Sequence, residues 1–180
     1  MQESVGKAGD SMVRRLVVVR HSKAEAGGPS DHERALAPQG HADAEEAGRW
    51  LASRGIVPDA ALVSDALRTR ETWADLAGGA GWDLVPDFVA ALYAAGPDAA
   101  MDLVRETDPD VATLVVLGHN PTVAYVAELL DDGDGDADAT TDLITRGFPT
   151  STLAVFAVDA PWADLAPGTG RLEAFHVGDG

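Results

Sequence analysis

Short uninterrupted aliphatic runs, each closed by a polar cluster, alternate along this chain with longer stretches whose apolar residues recur at helical spacing. The first run, Leu16-Val17-Val18-Val19, has the pattern of a strand buried on both faces. A polar stretch, Ala24 to Ala37, follows it. Pro38 then opens a predicted helix that runs to about Arg54 and stops at Gly55, with Ala44, Ala47, Trp50 and Leu51 on its apolar side. A second strand is predicted over Ala60 to Val63. Ser64 is a suitable N-cap for the next helix, with Asp65 in its first turn. That helix carries Leu67, Trp73 and Leu76 and is expected to end near Gly78-Gly79. A short strand near Asp83-Leu84-Val85, a helix over Pro97 to Thr107 and a strand over Thr113 to Leu117 complete the middle of the chain. Asn120 and Pro121 cap and start a helix reaching Leu130, with Val123, Val126, Leu129 and Leu130 facing inward. The last strands are placed at Thr152 to Val158 and Arg171 to His176.

Alternating strands and helices predict an α/β fold. The chain has 180 residues, enough for one domain with a real core. The expected division is a polar tail over residues 1–13 and a single domain over 14–180, with Met12 offering an alternative start. No run has the length of a membrane span, and the first residues lack the apolar stretch of a signal peptide. With no cysteine, disulfides and thiolate metal sites are excluded, which fits a cytoplasmic protein.

The polar clusters that close the strands carry the candidate chemistry. Leu16 to Val19 ends in Arg20-His21-Ser22-Lys23, Ala61-Leu62-Val63 runs into Ser64-Asp65-Ala66-Leu67-Arg68, and Leu114 to Leu117 ends in Gly118-His119-Asn120-Pro121. Ligands in open α/β sheets sit at the carboxyl ends of strands. His21, Arg20, His119 and Arg68 can therefore meet at one edge, and two histidines with two arginines there suggest phosphoryl chemistry: arginine matches phosphate oxygens as a planar, permanent cation, and a neutral imidazole can attack phosphorus and later leave. The helix beginning at Asn120-Pro121 can aim free N–H groups at the same place.

A net charge of −17 argues against nucleic acid and against anionic membranes as partners. It also requires any phosphate site to be a local cationic pocket. Within the acid excess, Asp131 to Asp142 (DDGDGDADATTD) has low complexity. Counted from Asp132, the EF-hand glycine and glutamate positions hold Ala137 and Leu143, so the segment reads as a solvated, mobile loop within a long connection to Thr150. The five histidines show no close-spaced ligand pair, so no metal or other cofactor is expected.

Taken in order, LVVVRHSKAE, DHERALAPQG, LVSDALRTRET, LVVLGHNP and FPTSTL resemble the histidine phosphatase superfamily, and within it the short SixA-type branch of phosphohistidine phosphatases. The resemblance runs from Leu16 to about Phe175. It implies a three-layer α/β/α sandwich with a mostly parallel mixed sheet. It further implies His21 as the phosphate-accepting nucleophile, Arg20 and Arg68 as core arginines, His119 as the second core histidine and Arg34 as an arginine reaching the phosphate from the loop after the first strand. Asn120 joins the substrate-binding set. Two departures stand out. Ser22 replaces the glycine that follows the Arg-His pair in the wider superfamily. Ala90 stands three before Tyr93, where many members carry a catalytic Glu; Asp87 is the nearest acid.

A missing general acid favours a leaving group better than an alkoxide, such as the imidazole of phosphohistidine. The leading expectation is a metal-independent phosphatase acting on a phosphohistidine-bearing protein. Alternatives are a small-molecule phosphomonoesterase and a non-catalytic phosphate-binding or phosphoprotein-binding module; oligomeric state is left open. Other residues have plainer readings. Arg70 points away and pairs with an acid, Lys23 is solvated, His32 and His41 lie at the surface, Trp50, Trp73 and Trp82 pack, and Thr150 and Ser151 make a turn or strand start or place a hydroxyl near the site.

Overall fold

A computed structural model describes residues 12–179; most of the expected tail, residues 1–11, lies outside the described residues. Six strands form one sheet: β1 (Arg14–Arg20), β2 (Ala60–Ser64), β3 (Asp87–Val89), β4 (Thr113–Gly118), β5 (Leu153–Val158) and β6 (Gly170–His176). Their order is β3-β2-β4-β1-β5-β6. β1 to β4 pair in parallel, and β5 runs antiparallel to both of its neighbours. The helices are α1 (Pro38–Ser53), α2 (Leu67–Ala80), α3 (Ala91–Ala94), α4 (Pro97–Arg105), α5 (Thr122–Leu130) and α6 (Ala137–Arg146).

β1 is apolar throughout its middle because both of its faces are covered. Val17 and Val19 share a core with Ala47 and Leu51 of α1 and with Trp73 and Leu76 of α2. Leu16 and Val18 point the other way, into Met101 and Val104 of α4, Val126 and Leu130 of α5 and Leu143 of α6. Each such aliphatic side chain contributes about 1.5–3 kcal/mol on burial. The three-layer mixed sandwich is the expected one.

Four local expectations change. α2 passes through Gly78-Gly79 and ends at left-handed Gly81 (φ 72°). Here glycine serves close packing: a Cβ on Gly79 would lie 2.1 Å from the Glu45 carbonyl oxygen, and one on Gly48 2.0 Å from that of Leu76, so α1 and α2 touch backbone to backbone. The short strand lies at 87–89 and not at 83–85, because β2 pairs Leu62 with Asp87 in register. Leu129, expected inward, is 38% exposed. The acidic segment, expected as a loop, holds turns and the start of a helix: Asp131 and Asp132 fold back onto the N–H groups of Gly133 and Asp134, and Asp136 caps α6 by accepting from Ala139 N at 2.9 Å. No described helix is long and apolar enough to cross a membrane.

Candidate active site

β1 and β4 lie side by side, with Arg20 opposite Gly118. The chain leaving β1 goes to the α1–α2 face, and the chain leaving β4 goes to the α5 face, so a crevice opens between their carboxyl ends. His21 and His119 both enter it, with ring centroids 5.3 Å apart. β2 pairs with β4 on the other side, which delivers Arg68 from the first turn of α2; its side chain is only 8% exposed. The sequence-predicted quartet therefore meets at one edge.

His21 is clamped. Its backbone N–H donates to Gly118 O at 3.1 Å, and its carbonyl accepts from Ser151 N at 3.1 Å. The ring Nδ1 lies 2.7 Å from the Ser22 carbonyl oxygen. A carbonyl only accepts, so Nδ1 carries the proton and Nε2 keeps its lone pair. Ser22 is itself fixed, donating its N–H to Thr72 Oγ1 at 3.0 Å and accepting from Ser151 Oγ at 2.6 Å. Ser151 adopts a left-handed conformation (φ 62°) where it makes that contact and so supports the loop that carries His21.

Burial is the main force on both rings. It lowers the pKa of His21 to about 3, aided by the charges of His119, Arg68 and Arg20 and opposed by the Ser22 bond. It lowers that of His119 to about 4, with Arg68 next in importance and Asp31 opposing. Both imidazoles are neutral at pH 7, while the arginines stay charged. A cationic pocket thus persists inside a protein of net charge −17. His119 Nε2 lies 2.7 Å from Ser64 Oγ, and its Nδ1 is buried without a partner among the described residues. Ser64 is accordingly not the N-cap of α2: that position is Ala66, with no side-chain bond. Ser64 closes β2 and faces the second histidine instead.

Comparison with known proteins decides the family. The profile of the histidine phosphatase superfamily (branch 1) matches residues 16–90. A solved structure from Nakamurella multipartitia, named as a SixA phosphohistidine phosphatase, shares 31% identity at a TM-score of 0.80, covering 93% of this chain and 98% of its own. This chain belongs to the histidine phosphatase superfamily. A second such SixA structure, from Agrobacterium tumefaciens, shares 28% identity at a TM-score of 0.76, over 91% of this chain and 97% of its own. An uncharacterized protein of Mycobacterium tuberculosis is 38% identical over 160 residues, 88% of this chain and 99% of its own. The chain is thus a phosphatase by family.

Around the quartet of this histidine phosphatase the rim departs from the expected set. Arg34 reaches the site only through Asp31: its Nη1 donates to Asp31 Oδ1 at 3.0 Å while its Nε donates to Glu25 O at 2.9 Å. The same carboxylate accepts from Arg68 Nη2 at 3.2 Å and from the hydroxyl of Tyr93, and the Asp31 carbonyl accepts from Arg68 Nη1 at 2.8 Å. Neither Asp31 nor Tyr93 is marked by any local pattern in the sequence beyond its nearness to Arg34 and to the missing Glu.

Asn120 does not cap α5, whose N-cap is Pro121. Its Nδ2 donates to Phe148 O at 2.7 Å, the carbonyl that also accepts from Arg20 Nη1 at 3.1 Å. Asn120 and Arg20 are thereby tied to one point ahead of β5. Val89 pairs with Ser64, which sets Ala90 at the site's edge with only a methyl group to offer. Asp87 lines a cleft with Ala60, Glu106 and Leu114, near the opposite end of β4 from His119. Arg70 bonds the Asp65 backbone carbonyl and lies over the Phe88 ring at 4.1 Å; among the described residues no acidic side chain pairs with it. His32 is at the rim and not free at the surface: it pairs with Asp65 at 2.9 Å and meets the edge of Tyr93 at 4.9 Å.

Proposed function

We propose that this histidine phosphatase works without a metal, carries the phosphoryl group on His21 Nε2, and removes it from phosphohistidine in proteins. The observation that carries the reading is the His21 Nδ1–H···O=C bond to Ser22 at 2.7 Å, which leaves a neutral Nε2 lone pair in a pocket with Arg68 and Arg20. Arg20 and Arg68 hold the equatorial oxygens of the transferring group. His119 adds a hydrogen bond from its unpartnered Nδ1, with Ser64 donating to Nε2 and so fixing the tautomer. Arg34 acts at the rim through Asp31, and Asn120 holds the carbonyl that orients Arg20.

In the first step the Nε2–P bond forms as the P–N bond of the substrate breaks. The electron pair goes to the departing imidazole, which leaves neutral because its other nitrogen kept a proton. In the second step a water oxygen bonds to phosphorus, the pair returns to Nε2, and both protons of the water leave with dihydrogen phosphate. No protein acid is consumed in either step. Ala90 in place of a glutamate suits that chemistry and not the expulsion of an alkoxide, and the two solved structures named as SixA phosphohistidine phosphatases, at 31% and 28% identity, favour the same substrate class by that naming alone.

The deciding experiment is phosphate release, with a chelator present, from a phosphohistidine-bearing protein domain and from a panel of phosphomonoesters. Release from the former at a kcat/KM at least about tenfold higher supports the reading; preference for the esters replaces it. The acid limb is a second check. A base whose pKa is lowered stays unprotonated as pH falls, and His21 titrates at about 3 and His119 at about 4. Activity on an acid-stable substrate should therefore survive at pH 5 and disappear as pH drops through 4 and 3. Loss at pH 6 to 7 would mean that the histidines titrate near the ordinary value.

A further inference from the structure

We propose that Asp31 is a specificity-determining residue of this site: its carboxylate, held at the mouth between Arg34, Arg68 and Tyr93, grips the ring N–H of a phosphorylated imidazolium as it departs as neutral imidazole, and thereby selects phosphoramidate over ester substrates. The inference rests on the phosphohistidine reading above and assigns the part of the site that would enforce it.

The geometry places this acid on the leaving-group side. His21 and Arg68 are nearly closed off, at 9% and 7% exposure. The Asp31 side chain is 56% exposed although it touches Arg68 directly. In-line attack from a buried His21 Nε2 puts the leaving group on the solvent side of phosphorus. The acidic side chain bonded to the outer face of the cationic pocket there is Asp31. Charged and titratable groups facing it are Arg34 from its own loop, Arg68 from α2, Tyr93 from α3 and, at longer range, His119 after β4.

These neighbours fix what the carboxylate can do. Tyr93 and Arg34 are the two largest influences holding it ionised, well below the usual carboxylate range. An ionised carboxylate has no proton for an alkoxide, so it cannot replace the glutamate absent at Ala90. It can accept from the distal N–H of a phosphorylated imidazolium. That contact raises the ring's pKa, keeps the ring in the form that departs neutral, and transfers no proton. The same negative charge adds nothing favourable to an uncharged ester group. An opposite charge at this range moves a pKa by about 1–3 units, and each unit is tenfold in the protonated fraction.

The test is Asp31→Asn, which keeps size and can still meet Tyr93, assayed on phosphoimidazole and on an aryl phosphate across pH. The ratio of kcat/KM for phosphoimidazole to that for the ester should fall by about tenfold or more. The alkaline fall of phosphoimidazole turnover should move to lower pH by about one unit. Asp31→Glu should restore part of both. The ratio and the pH midpoint do not depend on how much of the variant is active. Should Asp31→Asn be inactive on both substrates, Tyr93→Phe, which frees a carboxylate oxygen that Arg34 and Arg68 still keep ionised, must raise the same ratio; a fall would overturn the inference. A parallel loss on both substrates with an unmoved pH midpoint would overturn the inference and leave Asp31 as a support for Arg68. Wild-type protein that hydrolyses esters through His21 but ignores phosphoimidazole and phosphohistidine protein would overturn the substrate reading as well, which separates the two failures.

Discussion

His21→Ala is expected to lower phosphate release by at least about a thousandfold and to abolish the acid-labile, alkali-stable phosphoryl label that a quench should trap on the wild-type protein. The size follows from the arrangement. His21 Nε2 faces the crevice with its lone pair free, because Nδ1–H is spent on the Ser22 carbonyl. His119 cannot take over at the same point: its Nε2 is engaged with Ser64 Oγ, and its centroid lies 5.3 Å from that of His21. The fold should survive. The substitution removes one hydrogen bond, worth about 1 kcal/mol net, and the Ser22–Thr72 and Ser22–Ser151 bonds that hold the loop involve other atoms. Label and turnover are therefore the readouts, with a thermal melt as the check on folding. A variant that keeps a tenth of the wild-type rate, or that still traps label, would move the nucleophile elsewhere.

The reach of the sequence differs sharply between the quartet and its rim. Arg20, His21 and His119 were legible because each follows an aliphatic run at once, and parallel pairing of β1 with β4 in register is enough to bring the run ends together. Both faces of β1 are covered, which its unbroken hydrophobicity anticipated, whereas the three-layer architecture was an implication of the family resemblance. Ser64 was legible as a polar residue before a helix, yet two good uses compete for such a residue, and only the position of His119 decides between them. Asp31 and Tyr93 lie 62 positions apart in the chain and meet only in three dimensions. Their part in the site comes from the loop after β1 folding over α2 and α3, which no local periodicity records. The acidic segment misled for a related reason: six of its residues are helical from Ala137 on, but helix formation there depends on the Asp136 cap and on Leu143 finding the core.

The charge problem posed by a net −17 is resolved locally, which makes the arginines unusually exposed to mutation. In a basic protein a neighbouring lysine can partly stand in for a lost guanidinium. Here the described site offers Arg20 and Arg68 inside the crevice, and Arg34 committed to Asp31 and to the Glu25 carbonyl. Long-range attraction is absent, so on the proposed mechanism phosphate binding and transition-state stabilisation draw on the same few groups.

Arg68 should therefore be the most sensitive position after His21. Arg68→Gln is expected to lower kcat by about a thousandfold, the lower range for an arginine that stabilises phosphoryl transfer, and Arg68→Lys by a smaller but clear factor, because lysine keeps the charge and loses the planar fork. The guanidinium is 8% exposed, its two Nη atoms hold the Asp31 carbonyl and carboxylate, and it lies 5.9 Å from the Tyr93 ring centroid, so a lysine ammonium cannot satisfy both Asp31 contacts from one point. The pH profile carries an independent sign. Arg68 is among the charges that depress the pKa of both His21 and His119, behind burial in each case. Its removal lets both rings hold a proton at higher pH, so the acid limb of the residual activity should rise from the region of 3 to 4 toward neutrality, yet stay below the ordinary histidine value because burial persists. Arg68→Lys should leave that limb nearly in place, since the charge remains. A loss in kcat with an unmoved acid limb in Arg68→Gln would place the guanidinium farther from the two imidazoles than its contact with Asp31 indicates; full activity in Arg68→Lys would mean that its charge, and not its fork, is what the transferring phosphoryl group uses.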